Sequence, residues 1–219
     1  MRRVPILAAV LALAAASPAS AAIVEVGKIA AEHAPSCPSS PCLAVSRTTG
    51  YQAKVGTERG LFVAPQDGKI VAWSITLGKP GPRQIKFFDE NLGGESAARI
   101  TILRPGKKLF SRVTGQGPPQ QLAPYFGTTV QFPLGRALNV RKGYLVALTV
   151  PTWAPALAVG LGNDSSWRAS RGRGKCDDTA AQTAQLRDNQ LAQYFCLYRT
   201  ARLTYSATLI PAPPRPAAQ

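Results

Sequence analysis

A single histidine, a single methionine and only eleven acidic side chains are the scarcities of this 219-residue chain. The lone imidazole, His33, lies ahead of the strand-rich region, so the late histidine base that lipases and esterases need is missing. No G-x-S-x-G occurs, and Gly162-Asn163-Asp164-Ser165 matches a hydrolase nucleophile block only superficially. The cysteines are few but even in number, Cys37 with Cys42 and Cys176 with Cys196. In an exported chain such pairs are expected to be oxidised, which removes a thiol nucleophile. Neither pair has the two-residue gap of a zinc site, and no metal or other cofactor is expected. No apolar run is long enough to span a bilayer as a helix, the longest being Val4 to Ala16.

The shortage of carboxylates also narrows glycosidase chemistry, which needs a suitable spatial pair. Glu58, Asp67, Glu95, Asp164, Asp177 and Asp178 all fall in predicted turns, where capping and turn formation are the ordinary uses of such residues. Asp89-Glu90-Asn91 with Glu95 offers oxygen atoms to Ca²⁺ but not at EF-hand spacing, and is read as a solvated loop.

What is present is an export signal, an excess of cations and a regular grammar of short strands. Met1-Arg2-Arg3, the apolar run and Ala19-Ser20-Ala21 read as a secretory signal peptide over 1–21. Residues 22–36 are expected to be a loosely docked arm, 37–210 a single domain, and 211–219 an extended Pro-rich tail that joins no sheet. Without Arg2 and Arg3, 24 of the 26 basic side chains face 11 acidic ones, a net charge of about +13. Such an excess favours anionic polymers and surfaces, in a salt-sensitive way.

Gly143 to Val150 carries apolar residues on both sides of an extended chain and is predicted to be a covered central strand ending at Pro151. Lys69 to Leu77 alternates, with Val71, Trp73, Ile75 and Leu77 assigned to the core. Leu43 to Val55 is predicted to be a hairpin turning at Thr48-Thr49-Gly50. Leu61–Ala64, Gln84–Phe88, Arg99–Leu103, Lys108–Val113, Thr128–Phe132, Ala137–Val140, Ala156–Val159, Tyr194–Tyr198 and Arg202–Leu209 are further predicted strands. Gly160 to Lys175 is read as loop, and Asp177 to Gln193 as either a short helix or an irregular loop closed by Cys176–Cys196. The sum is an all-β antiparallel sandwich. A jelly roll is preferred because long connections, notably the one after Val159, suit sheet-crossing topology, and an immunoglobulin-like sandwich is the alternative.

Asp67-Gly68-Lys69-Ile70-Val71-Ala72-Trp73-Ser74-Ile75 and Leu138-Asn139-Val140-Arg141-Lys142-Gly143-Tyr144-Leu145-Val146-Ala147-Leu148 resemble a pattern of secreted bacterial β-sandwich proteins without assigned activity. More distantly the pattern is similar to non-catalytic jelly-roll modules that accompany carbohydrate-active enzymes. These motifs are turns and core strands, so the resemblance implies a fold and carries over no catalytic residue.

Trp167, Arg168, Arg171, Arg173 and Lys175 place four cations and an indole in one segment tethered at Cys176. Guanidinium forks suit phosphate or carboxylate, and a flat indole suits a sugar ring. Trp153 and Tyr125 either extend that surface or plug one end of the core. The functional expectation is a non-catalytic module for an anionic or carbohydrate polymer at the cell envelope, with no nucleic acid partner. A glycan hydrolase acting through loop carboxylates, or an assembly protein with a protein partner, are the alternatives.

Overall fold

A computed structural model of the protein describes residues 22–29 and 33–213. The expected signal peptide over 1–21 and the end of the Pro-rich tail, from 214, lie outside the described residues. In chain order the elements are β1 (Val24–Val26), β2 (Val45–Lys54), β3 (Gly68–Thr76), α1 (Pro82–Asn91), β4 (Ala97–Pro105), β5 (Phe110–Gln116), β6 (Gln120–Gln121), β7 (Thr129–Val140), β8 (Leu145–Ala154), β9 (Leu157–Val159), β10 (Ser166–Ala169), β11 (Leu191–Gln193), β12 (Cys196–Arg199), β13 (Ala201–Leu203) and β14 (Tyr205–Pro211).

The small sheet runs β1-β14-β3-β7 and the large one β11-β5-β4-β8-β2-β10-β12, with β6 on β4 and a separate β9–β13 ribbon. Every pairing is antiparallel. The chain changes sheet four times between β2 and β8, a crossing connectivity that hairpin stacks lack. Between the sheets lies one apolar cluster to which the small sheet gives Ile70, Trp73, Ile75 and Leu209, and the large sheet Ile100, Ile102, Val146 and Leu148. The protein is an antiparallel all-β sandwich, as the strand patterning predicts.

β8 is the central strand of the large sheet, and both of its faces are buried. Val146, Leu148 and Val150 enter the main core, while Leu145 and Ala147 enter a second cluster with Leu103, Val113 and Tyr194 on the opposite face. The strand does not stop at Pro151. It pairs on to Ala154 because the proline falls where the register with β2 is irregular, between Val150↔Thr48 and Trp153↔Ser46, so its missing N–H breaks no regular ladder.

Other expectations are corrected by the pairing. Leu43 to Val55 is no hairpin: Val45–Lys54 is one strand, and its register with β8 shifts where Arg47, with φ of 47°, stands opposite both Pro151 and Thr152. Gly50 is there for space, since a Cβ would meet the Trp167 ring at 2.9 Å. Gln84–Phe88 is helical, within α1. Pro82 opens the helix, Gln84 Oε1 accepts the Gly81 N–H at 2.7 Å, and Phe88 is its buried residue. Leu61–Ala64 forms only an isolated bridge at Val63. In β3 a bulge between Ile70 and Ala72 turns Val71 out of the core and Ile70 into it. The arm is docked, β1 pairing with β14 and the fully buried Arg202 donating to the Gly27 carbonyl at 3.0 Å. Pro211 belongs to β14, opposite Gly68. Residues 160–175 contain β10, and 177–190 form an irregular covering segment before β11.

Candidate binding surface

The Arg-rich segment is largely internal. Ser166–Ala169 is a strand between β2 and β12, so its side chains alternate. Trp167 points inward, 5% exposed, and stacks on Tyr198 with centroids 4.6 Å apart. Arg168 donates through one Nη to the Tyr194 and Phe195 carbonyls at 3.1 and 3.0 Å. Arg171 is 3% exposed and donates to the Tyr198 hydroxyl at 2.9 Å and the Ser46 carbonyl at 3.1 Å. Only Arg173, lying 4.9 Å over the Phe195 ring, and Lys175 face solvent.

Trp153 is fully buried, donating its indole N–H to Asp89 Oδ1 at 2.9 Å and the Gly94 carbonyl at 3.0 Å, between Phe88 and Phe126. Tyr125 packs edge-on against Phe132 and keeps part of its ring exposed. Trp153 and Trp167 pair with Ser46 and Gln52 of β2, six residues apart and hence about 20 Å along the strand. They build no common aromatic platform.

Both expected disulfides are formed, Cys37–Cys42 and Cys176–Cys196. The second closes the segment that covers the outer face of the large sheet. Beneath it runs a hydroxyl row, Thr49–Thr149 at 2.9 Å and Thr149–Thr101 at 2.7 Å, continued by Gln116 to Thr101 at 3.0 Å. The covering segment ties into this row where the Gln185 N–H donates to Thr49 at 2.9 Å and the Tyr194 hydroxyl donates to the Gln185 side-chain carbonyl. Arg47, at the register shift with β8, donates to the Ala180 carbonyl of the segment and the Asn91 carbonyl ending α1. Burial pushes the phenols of Tyr194 and Tyr205 well above their usual range.

Three carboxylates are engaged with the fold. Asp67 accepts the Lys142 N–H at 2.8 Å, Asp178 the Ala181 N–H at 3.1 Å, and Asp89 the Trp153 indole. Asp89, Glu90 and Asn91 belong to the end of α1 rather than to an open loop. Among the described residues no group of three or more His, Cys, Asp or Glu side chains is placed to hold a metal ion, and no helix is long and apolar enough to cross a membrane.

Basic side chains, by contrast, outnumber acidic ones by 26 to 11. Among the described residues one ion pair forms, Lys86–Glu90 at 3.9 Å, and it is exposed. No Asp or Glu occurs between Glu95 and Asp164, a stretch with eight Lys and Arg residues. Four of these, Arg104, Lys107, Lys108 and Arg112, gather at the β4–β5 hairpin. This gap in acidic residues was the available signal, and it is visible only once charge is read along the chain. On the outer face of the small sheet an open groove of about 470 Å³ is lined by Glu25, Lys28, His33, Ser74, Thr129 and Gln131 among others. It offers hydroxyl, amide and imidazole groups to a polar ligand. Comparison with protein-family models, with curated proteins and with solved structures finds no match for this chain.

Proposed function

We propose that the protein is an exported, non-catalytic module that binds an anionic polymer of the cell envelope, such as an acidic polysaccharide. The observation that carries this is the excess of cations: 24 basic against 11 acidic side chains beyond residue 21, with one ion pair, Lys86–Glu90, between described residues. Cations without intramolecular partners keep their full Coulombic attraction for a polyanion and raise its local concentration. Hydrogen bonds within the fold engage Asp67, Asp89 and Asp178, which favours binding over carboxylate catalysis at these three. The hydroxyl- and amide-lined groove supplies hydrogen bonds to uncharged sugar units of the same polymer. The signal-like composition of residues 1–21 and the two disulfides support an extracytoplasmic setting.

The experiment is a binding panel at low salt, setting an acidic polysaccharide against a neutral one of similar length. Binding to the acidic polymer, reduced several-fold by Arg173→Ala with Lys175→Ala, is expected. Equal binding of both polymers, or turnover of either, contradicts the proposal.

A further inference from the structure

We infer that the tip of the β4–β5 hairpin, with the adjoining end of β11, docks on an anionic lipid bilayer. β5 turns Ser111 and Val113 into the protein and Phe110 and Arg112 outward. Arg112 lies opposite Arg104 on β4 and Leu191 on β11, and Phe110 lies opposite Gln193. Directly paired residues share a face of the sheet, so these side chains form one patch. Leu109, Phe110 and Leu191 are 40%, 38% and 54% exposed, and none of them joins either apolar cluster. Lys107 and Lys108 complete the rim, and neither β4, the hairpin nor β11 contains an acidic residue. The neighbouring acid, Asp188, acts on Arg99.

The backbone of the tip is held in an unusual shape. Lys108 and Leu109 have φ of 54° and 64°, two consecutive side chains in the left-handed region that ordinarily favours glycine. Gly106 donating to the Phe110 carbonyl at 2.7 Å, Tyr194 to the Leu109 carbonyl at 2.8 Å and Gln193 to the Lys108 carbonyl at 3.2 Å fix it. Strain kept where the side chains join neither apolar cluster and stay partly exposed points to a use outside the fold. Apolar atoms at an exposed hairpin end, ringed by cations on flexible stems, match the bilayer interface: the cations meet headgroup phosphates and Leu109 and Phe110 reach the acyl boundary. A soluble polyanion satisfies the charges but leaves those apolar side chains in water.

This inference goes beyond polymer binding and is tested apart from it. The mature chain is sedimented with vesicles of phosphatidylcholine alone and of phosphatidylcholine with phosphatidylglycerol. Binding to the second kind only is expected. Lys107→Gln with Lys108→Gln should weaken it about thirtyfold, from roughly 1 kcal/mol per cation near an anionic surface. Leu109→Asn with Phe110→Ser should weaken it by about tenfold or more, leaving binding to a soluble acidic polysaccharide unchanged; Asn tolerates the left-handed backbone, so the tip keeps its shape. A Leu109→Trp variant gives a second reading, a blue shift of its emission on anionic vesicles. Vesicle binding that survives loss of both apolar side chains, or an unshifted emission, overturns the inference and leaves polymer binding standing. Loss of both vesicle and polysaccharide binding in the unmodified chain removes both.

Discussion

At the scale of single residues, the aromatic and cationic side chains divide into those that hold the fold and those left over. Trp153 belongs to the first group through its two indole hydrogen bonds and its packing on Phe88 and Phe126. Trp153→Phe should cost roughly 2–4 kcal/mol of unfolding free energy by lost packing and an unsatisfied Gly94 carbonyl, with polymer affinity unchanged. Urea unfolding beside a binding isotherm checks both halves. Arg171→Ala should likewise destabilise by roughly 2–4 kcal/mol, since the Ser46 carbonyl and Tyr198 hydroxyl lose their donor. Arg173→Ala, on an exposed side chain, should stay within about 0.5 kcal/mol. Tyr205 supplies a pH signature. Burial raises its phenol well above the usual value of 10.0, and its hydroxyl donates to the Val146 carbonyl at 2.9 Å. The unfolded chain ionises near pH 10, so above that pH it binds fewer protons than the folded one and gains on it. Stability should therefore be flat below about pH 10 and fall as pH rises beyond it. Tyr205→Phe should make that fall shallower at a cost of about 1 kcal/mol at neutral pH, measured by denaturant melts across the alkaline range.

At the scale of elements, the disulfide-closed segment gives β8 its second buried face. Replacing Cys176 and Cys196 by Ala should cost about 3 kcal/mol, from the entropy of a loop of 20 residues. The segment should then become the first site of proteolysis. Thr149→Val should cost roughly 1–3 kcal/mol, because the Thr49 and Thr101 hydroxyls lose their shared partner. Most strands were legible because alternation reports a face whatever lies across it, and Gly143 to Val150 announced a covered strand. What hid the rest was local. The Thr48-Thr49-Gly50 run reads as a turn, yet the Thr49 hydroxyl serves the buried row, the Thr48 hydroxyl bonds Ser170, and the glycine makes room for Trp167. Ile85 and Phe87 alternate like a strand, but Gly81-Pro82 starts a helix whose buried residue is Phe88. The Arg-rich stretch carries the composition of a loop, and only the pairing of β10 with β2 and β12 turns Trp167 and Arg171 inward. Bulges and long-range partners of this kind leave no periodic trace in sequence.

For the whole molecule, the candidate surface was half legible. The net charge predicts a polyanionic partner, but two of the four cations that Gly160 to Lys175 promised, Arg168 and Arg171, are committed inside. Arg173 and Lys175 remain exposed, and further exposed cations lie in the acid-free stretch between Glu95 and Asp164, among them Arg104, Lys107 and Lys108 of the β4–β5 hairpin. If surface charge is the binding device, affinity must be set by ionic strength rather than by a single contact, since exposed charges are screened over about 10 Å at 0.1 M salt. The decisive measurement is the dissociation constant for an acidic polysaccharide across a salt series, with a neutral polysaccharide alongside. A steep, continuous weakening with added salt, and no measurable binding of the neutral chain at any salt, is expected. An affinity for the acidic polymer that is insensitive to salt would contradict the account.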